Sequence, residues 1–353
     1  MPSFSEMPED VVQLIVFHMG KRDVSAVSCA CKRLRELTVP CLYDTIIWTW
    51  NMHANPTELC NPPIHLLLRS IVETLQLGAY VKHLSFRGTK NKRIPTYKQS
   101  PGTIWAPGEQ PKLSASEFKV VEDFVHAAQL PLEKPWIAEL ETGNVNVFVA
   151  LVLSQLSNLR TLYLGVDFHT DTKFLGLLFK HVLFSSQPPA RRLSAFPNLQ
   201  HVEFPPMEMG EMPSRATVDT EQVTSLPYLP AIETIDAVLF RDKRFSWPGD
   251  KPPCALTLTT LNLPCCEADE DVLVRLLSVT PNLQALRYDH WSDVDPPKSR
   301  PTHFDLAKLS LALRQVRTTL KHLSLSIVFY ANTSIDVGNR SPYYGIKNNV
   351  SPL

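Results

Sequence analysis

The chain has 353 residues, enough for two ordinary domains or one elongated repeat domain. Its 35 Lys and Arg residues cancel its 35 Asp and Glu residues, which excludes the overall basic field of a nucleic-acid binder and any net attraction to an anionic membrane. A hydrophobic content of 44% excludes an intrinsically disordered chain, and 30 prolines against 12 glycines predict stiff loops between elements.

Seven cysteines without a C-x-x-C pair fit the reduced thiols of a protein of the cytoplasm or nucleus. Cys29 and Cys31 stand two apart on a presumed helix, point apart, and predict no metal site. No secretory pattern precedes the first helices, and no apolar run reaches the roughly 18 residues of a membrane span. The expectation is a soluble intracellular protein with no membrane partner.

The first predicted elements lie in MPEDVVQLIVFHMGKRDVSAVSCACKRLREL, Met7 to Leu37, which reads as two or three short helices. Val11, Leu14, Ile15 and His18 share one helical face, while Val12, Val16 and Met19 occupy much of the opposite side. Pro8 suits a first helical turn, Glu9 and Asp10 favour its positive end, and Asp23 is expected to cap the second helix. So small a unit cannot bury this much apolar surface alone. Either it caps the rest of the chain, or a partner protein completes its core.

Further on, Leu67, Leu68, Ile71, Val72 and Leu75 form a helical stripe, followed by VKHLSF (Val81 to Phe86). A proline-rich, basic loop spans Gly88 to Lys112, and a helix opens at the capping box Ser114-x-x-Glu117 and carries Phe118, Val121, Phe124, Val125 and Ala128. The stripe Val149, Val152, Leu153, Leu156 leads into LRTLYL (Leu159 to Leu164); LQHVEF (Leu199 to Phe204) and IETIDA (Ile232 to Ala237) follow. LTTLNL (Leu258 to Leu263) precedes an acidic run, Glu267 to Asp271, at a predicted helix start, and the helix carries Val272, Leu276, Leu277 and Val279. LQALRY (Leu283 to Tyr288), a helix with Leu306, Leu309, Leu313 and Val316, and LKHLSL (Leu320 to Leu325) complete the series. Loops are expected at about Pro205 to Ser225, Arg241 to Pro253 and Ser292 to Thr302.

The six-residue stretches share one pattern, apolar-x-x-apolar-x-apolar, whose last three residues alternate as a short strand does. A repeated helix-then-strand unit predicts parallel strands stacked side by side in a solenoid. The pattern resembles the leucine-rich repeat, L-x-x-L-x-L-x-x-N/C. Only the fifth copy ends on N/C, as Cys266; the others carry Thr89, Asp167, Met207, Phe240, Trp291 and Val328 there, and their spacing is uneven. An ordinary α/β domain with parallel strands is the alternative. Three copies are preceded by Asn: Asn158, Asn198 and Asn282.

With repeats behind it, the N-terminal stretch resembles an F-box of the kind that precedes leucine-rich repeats in fungal proteins. Met7 and Pro8 stand at the family's Leu-Pro, Asp23 and Val24 at its Asp-Leu, and Cys31, Lys32, Arg33, Leu34 and Arg35 at its Cys-Lys-Arg-Trp-Arg. Met7, Ala30 and Leu34 depart from the pattern but stay apolar. The resemblance implies a Skp-family adaptor that completes the core and links the chain to a cullin and a RING subunit. It nominates Met7, Pro8, Val11, Val12, Ile15, Val24, Val27, Cys31 and Leu34 as adaptor contacts. The predicted organisation is mixed α/β: an F-box over 1–50, a degenerate repeat solenoid over 51–328 with its parallel sheet on the concave face, and a poorly ordered tail over 329–353.

No glycine-rich phosphate loop, H-E-x-x-H or G-x-S-x-G occurs, so neither catalytic residues, a metal site nor a cofactor is expected, and Cys266 is read as a buried structural thiol. What remains is a recognition surface for an unknown protein substrate, not nucleic acid. Its outward strand positions are Ser85, Tyr163, Glu203, Asp236, Asn262, Arg287 and Ser324; His83, Thr161, His201, Thr234, Thr260, Ala285 and His322 lie two residues earlier on the same face. Simple solvent exposure is the alternative for any one of them. The expected function is substrate recognition for an SCF-type ubiquitin ligase. An F-box scaffold without ubiquitin transfer, and an enzyme of unknown type on an α/β fold, are the competing readings.

Overall fold

The structure, a computed structural model, describes residues 7–51, 62–89, 113–165, 168, 173–185, 193–205, 221–239, 245–293 and 304–330. Most of the expected loop from Gly88 to Lys112, the middle of that from Pro205 to Ser225, and the tail beyond Tyr330 lie outside the described residues, as do Asp167, Met207 and Phe240. The chain divides into two compact units, Met1–Phe168 with Ser185–Leu199, and His169–Phe184 with Gln200–Leu353. Each is mixed α/β with parallel strands.

The first unit opens with α1 (Glu9–Phe17), α2 (Lys21–Ser28) and α3 (Lys32–Asp44). Val12, Val16, Val24 and Leu34 meet between them, with Met7, Met19, Val27, Leu37, Cys41 and Leu42 packed around. Pro8 stands immediately before α1, with Glu9 and Asp10 in its first turn. The expected cap at Asp23 is corrected. The carbonyl of Gly20 already accepts from the Asp23 and Val24 N–H groups, at 2.9 and 3.0 Å, so α2 is wound by Gly20 and Asp23 sits in its first turn.

Helix α3 runs directly into β1 (Thr45–Asn51), which pairs in parallel with β2 (His83–Thr89) and through it with β3 (Thr161–Leu164). Parallel neighbours need long crossovers, and helices supply them. Between β1 and β2 lie α4 (Ile64–Glu73) and α5 (Leu75–Tyr80), one predicted stripe broken at Thr74. Between β2 and β3 lie α6 (Ala115–Ala128), α7 (Glu133–Thr142) and α8 (Val145–Leu153). Helix α6 starts on the reciprocal Ser114–Glu117 capping box that its sequence predicts. All nine residues of α8 are buried, as an apolar helix without a polar face requires. A Cβ on Gly78 would lie 2.5 Å from the carbonyl oxygen of Gln155, so α5 reaches its neighbour through a residue that must be glycine. Trp50 packs edge-on against Phe86 and Phe168, with ring centroids 5.1 and 4.9 Å away, and closes the core beneath the strands.

The second unit contains α9 (Lys173–Phe184), β4 (His201–Phe204), the short α10 (Glu221–Ser225), β5 (Thr234–Ala237), β6 (Thr260–Cys266), α11 (Glu270–Ser278), β7 (Ala285–Asp293), α12 (Leu306–Val316) and β8 (His322–Tyr330). Strands β4 to β8 pair in parallel in chain order. The apolar residue of the in–out alternation is buried in β4 to β7, as Val202, Ile235, Leu261 and Leu286, whereas Leu323 on β8 is 39% exposed. The acidic run places Asp269 before α11 and Glu270 and Asp271 in its first turn; Asp271 also receives Lys308 Nζ at 2.5 Å.

The three Asn residues that precede strands have a common job. Asn158 Nδ2 donates to the Ala79 carbonyl at 2.7 Å, Asn198 Nδ2 to that of Ser157 at 3.4 Å, and Asn282 Nδ2 to that of Leu256 at 2.7 Å. Each amide satisfies a carbonyl in the segment leading into an earlier strand: the end of α5 before β2, the turn before β3 and the turn before β6.

Two expectations about β6 and β8 are corrected. Strand β6 does not end at Leu263. It continues to Cys266 through a register shift, with Cys265 at φ 51°, and Cys266 turns into the core at 1% exposure. Burial pushes the Cys266 thiol up to about 12 and, less severely, Cys265 to about 11. Strand β8 does not stop at Leu325. Pairing with Asp289 to Asp293 carries it to Tyr330, so the first two residues assigned to the tail belong to a strand. The β-branched and aromatic stretch Ile327, Val328, Phe329, Tyr330 favours that extension.

Candidate functional site

Helix α1 turns one apolar face inward and keeps the other in solvent. Val12 and Val16 are 0% and 1% exposed, whereas Val11, Leu14, Ile15 and Phe17 are 39%, 62%, 36% and 78% exposed. Pro8 and Cys31 are exposed, and Met7 and Val27 are partly buried. Three nominated contacts are corrected: Val12, Val24 and Leu34 fill the core between the helices, and no partner could touch them without prising α1, α2 and α3 apart. Leu14 and Phe17, which the sequence nominations omit, are the most exposed apolar side chains of α1. The signal for Leu14 lay in its position on the Val11 and Ile15 face; Phe17 stands alone in the pattern.

Arg33 Nη2 donates to the Met7 carbonyl at 2.8 Å and fixes the segment that enters α1. Lys21 Nζ donates to the carbonyls of Thr45 and Leu42, which ties α2 to the end of α3 and the start of β1. Burial lowers the Lys21 pKa against the opposing pull of Asp44. The exposed face of α1 is therefore presented on a braced support.

The outward strand positions form in-register rows. In the first unit Ile47, Ser85 and Tyr163 stand side by side, as do Thr45, His83 and Thr161, with His83 Nδ1 2.8 Å from Thr161 Oγ1. Ser85 is not open to a partner. Arg87 folds back over it, donating Nε to Ser85 Oγ at 2.9 Å, and leaves Ser85 9% exposed. The same guanidinium lies 5.3 Å from the centroid of the Tyr163 ring.

In the second unit Glu203, Asp236, Asn262, Arg287 and Ser324 occupy one row. Asn262 Nδ2 donates to Asp236 Oδ2 at 3.2 Å. Arg287 gives Nε and Nη2 to Asp289 Oδ2 at 2.8 and 2.6 Å, and this contact raises the Arg287 pKa. Glu203, Arg287 and Ser324 are exposed; Asp236 and Asn262 are half-buried.

Burial raises the Asp236 pKa, and the Asn262 hydrogen bond and the Arg287 charge only partly oppose it. A carboxyl raised above its unfolded value of about 3.9 holds its proton better when folded, so its contribution to stability is present below that pH and lost as the pH rises through the folded pKa. Asp236→Asn keeps an acceptor for Asn262 and removes the charge. It should raise the thermal midpoint at pH 7 and leave it unchanged near pH 3. An equal shift at both pH values would assign the effect to packing instead.

No curated protein matches this chain. Residues 4–39, which carry α1, α2 and most of α3, match the family model of the F-box domain, and the chain contains an F-box domain over that stretch.

Proposed function

We propose that this protein is the substrate-recognition subunit of an SCF-type ubiquitin ligase, acting in the cytoplasm or nucleus without an active site of its own. The outer face of α1 holds a Skp-family adaptor, through which the chain joins a cullin and a RING subunit. The parallel strands and their helices form a degenerate leucine-rich-repeat solenoid, and its outward strand positions hold a target protein for modification by the RING-bound conjugating enzyme. The observation that carries this reading is the coincidence of the F-box match with Val11, Leu14, Ile15 and Phe17, apolar side chains that their own unit leaves in solvent. The ordered series of parallel strands, tied by Asn158, Asn198 and Asn282, supports the repeat reading.

Affinity purification of the tagged chain, with mass spectrometry of its partners, tests this function. The expected set contains an adaptor, a cullin, a RING subunit and further proteins whose half-lives lengthen when the chain is removed. Partners of unchanged half-life would favour a scaffold that binds the adaptor without ubiquitin transfer.

A further inference from the structure

The outward positions of the first unit's strands are Thr45, Ile47 and Thr49 on β1, His83, Ser85 and Arg87 on β2, and Thr161 and Tyr163 on β3. None of these is a carboxylate. Arg87 is exposed, yet two contacts hold it: the hydrogen bond from Nε to Ser85 Oγ, and its position over the Tyr163 ring. The hydrogen bond uses Nε, and the ring contact brings Cζ to 5.3 Å from the Tyr163 centroid. No described residue accepts from Nη1 or Nη2.

The second unit contains the complement that Arg87 lacks. Arg287 also stands outward on a parallel strand, and it grips the carboxylate of Asp289, two residues along the same strand. On β2 the corresponding two-residue step joins Arg87 to the Ser85 hydroxyl, which orients the guanidinium and supplies no counter-charge; no described carboxylate pairs with it.

We propose that Arg87 is the anchor for a carboxylate side chain, Asp or Glu, in an extended acidic segment of a target protein. This rests on the reading above that the outward strand positions meet targets. The open Nη pair matches the two oxygens of a carboxylate in the bidentate geometry that distinguishes Arg from Lys. Because Ser85 and Tyr163 already restrict the side chain, less freedom is lost on binding. The charge also fits: one guanidinium balances one carboxylate, whereas a phosphate of about −1.5 to −2 would stay half-neutralised here. Beside this anchor, Ile47 is 56% exposed and directly opposite Ser85, so an apolar residue flanking the acid has a contact of its own.

The test uses the full chain and a fluorescein-labelled heptapeptide with one Glu between two Leu, read by fluorescence anisotropy, with Gln and phosphoserine versions for comparison. The Glu peptide should bind at least about tenfold more tightly than the Gln peptide, with the preference shrinking as salt is added. Arg87→Gln should erase the preference, Arg87→Lys should recover only a small part of it, and Ser85→Ala should lower it by loosening the guanidinium. Thermal unfolding confirms that each variant is folded. Equal binding of the Glu and Gln peptides, or a preference that persists in Arg87→Gln, overturns the proposal; so does phosphoserine binding about tenfold above Glu, which would make the site a phosphate reader. Adaptor co-purification from the same preparations separates the two readings. Loss of the peptide preference with adaptor retained is the expected Arg87→Gln result, and a wild-type chain that binds the peptide but no adaptor would refute the ligase reading alone.

Discussion

Replacing Leu14 and Phe17 together by Asp is expected to abolish co-purification of a Skp-family adaptor and leave the chain folded. At 62% and 78% exposure these side chains contribute little to the core of their own unit, so the change should shift folding stability by no more than about 0.5 kcal/mol per site. At an interface each would contribute about 1.5–3 kcal/mol by leaving water, and a carboxylate in the same place adds a desolvation penalty. The combined loss exceeds a hundredfold in affinity. Val16→Asp is the control. At 1% exposure it places a charge among Val12, Val24 and Leu34 and should unfold the three helices. Thermal melts and pull-downs on both variants distinguish a lost contact from a lost fold. Adaptor retained at the wild-type level by the Leu14 and Phe17 variant would remove α1 from the interface.

The three-helix start shows what could and could not be read in advance. Periodicity divides α1 into a Val11–Leu14–Ile15 face and a Val12–Val16–Met19 face, and the structure keeps that division. Which face turns inward depends on where α2 and α3 dock, and nothing within α1 encodes that. The family pattern that nominates Val12, Val24 and Leu34 as contacts does not separate a core position from a surface one, and all three are core. The strands were more legible, because a period of two states both the strand and its buried side: Leu162 and Leu164 are buried and Thr161 and Tyr163 are not. Their ends were less so: the six-residue pattern stops at Leu325, while β-branched and aromatic residues beyond it, paired with β7, extend β8 to Tyr330. Ser85 fits the outward pattern and is still covered, because the neighbour that covers it, Arg87, is a long side chain folding back along its own strand.

Arg287→Ala should destabilise the second unit by about 2–4 kcal/mol, an unusual cost for a residue on an open strand position. Arg287 itself is exposed, with 54% of its side chain accessible, but its partner Asp289 keeps only 12%. Without the guanidinium, Asp289 is left as a sequestered carboxylate that has lost two charge-assisted bonds. Adding Asp289→Asn removes that charge at nearly the same shape, and the double variant should recover at least half of the loss. Denaturant midpoints of the four chains in this cycle measure the coupling directly. A single Arg287→Ala variant within about 0.5 kcal/mol of wild type would show that the pair behaves as an ordinary surface ion pair. The result bears on function, because reversing the charge at Arg287 would confound lost target binding with lost stability. Glu203 and Ser324, exposed in the same row, are cleaner positions. The Arg287→Ala/Asp289→Asn chain then becomes the informative one: if it is folded and keeps its adaptor yet loses its other partners, the second unit's row carries target contacts.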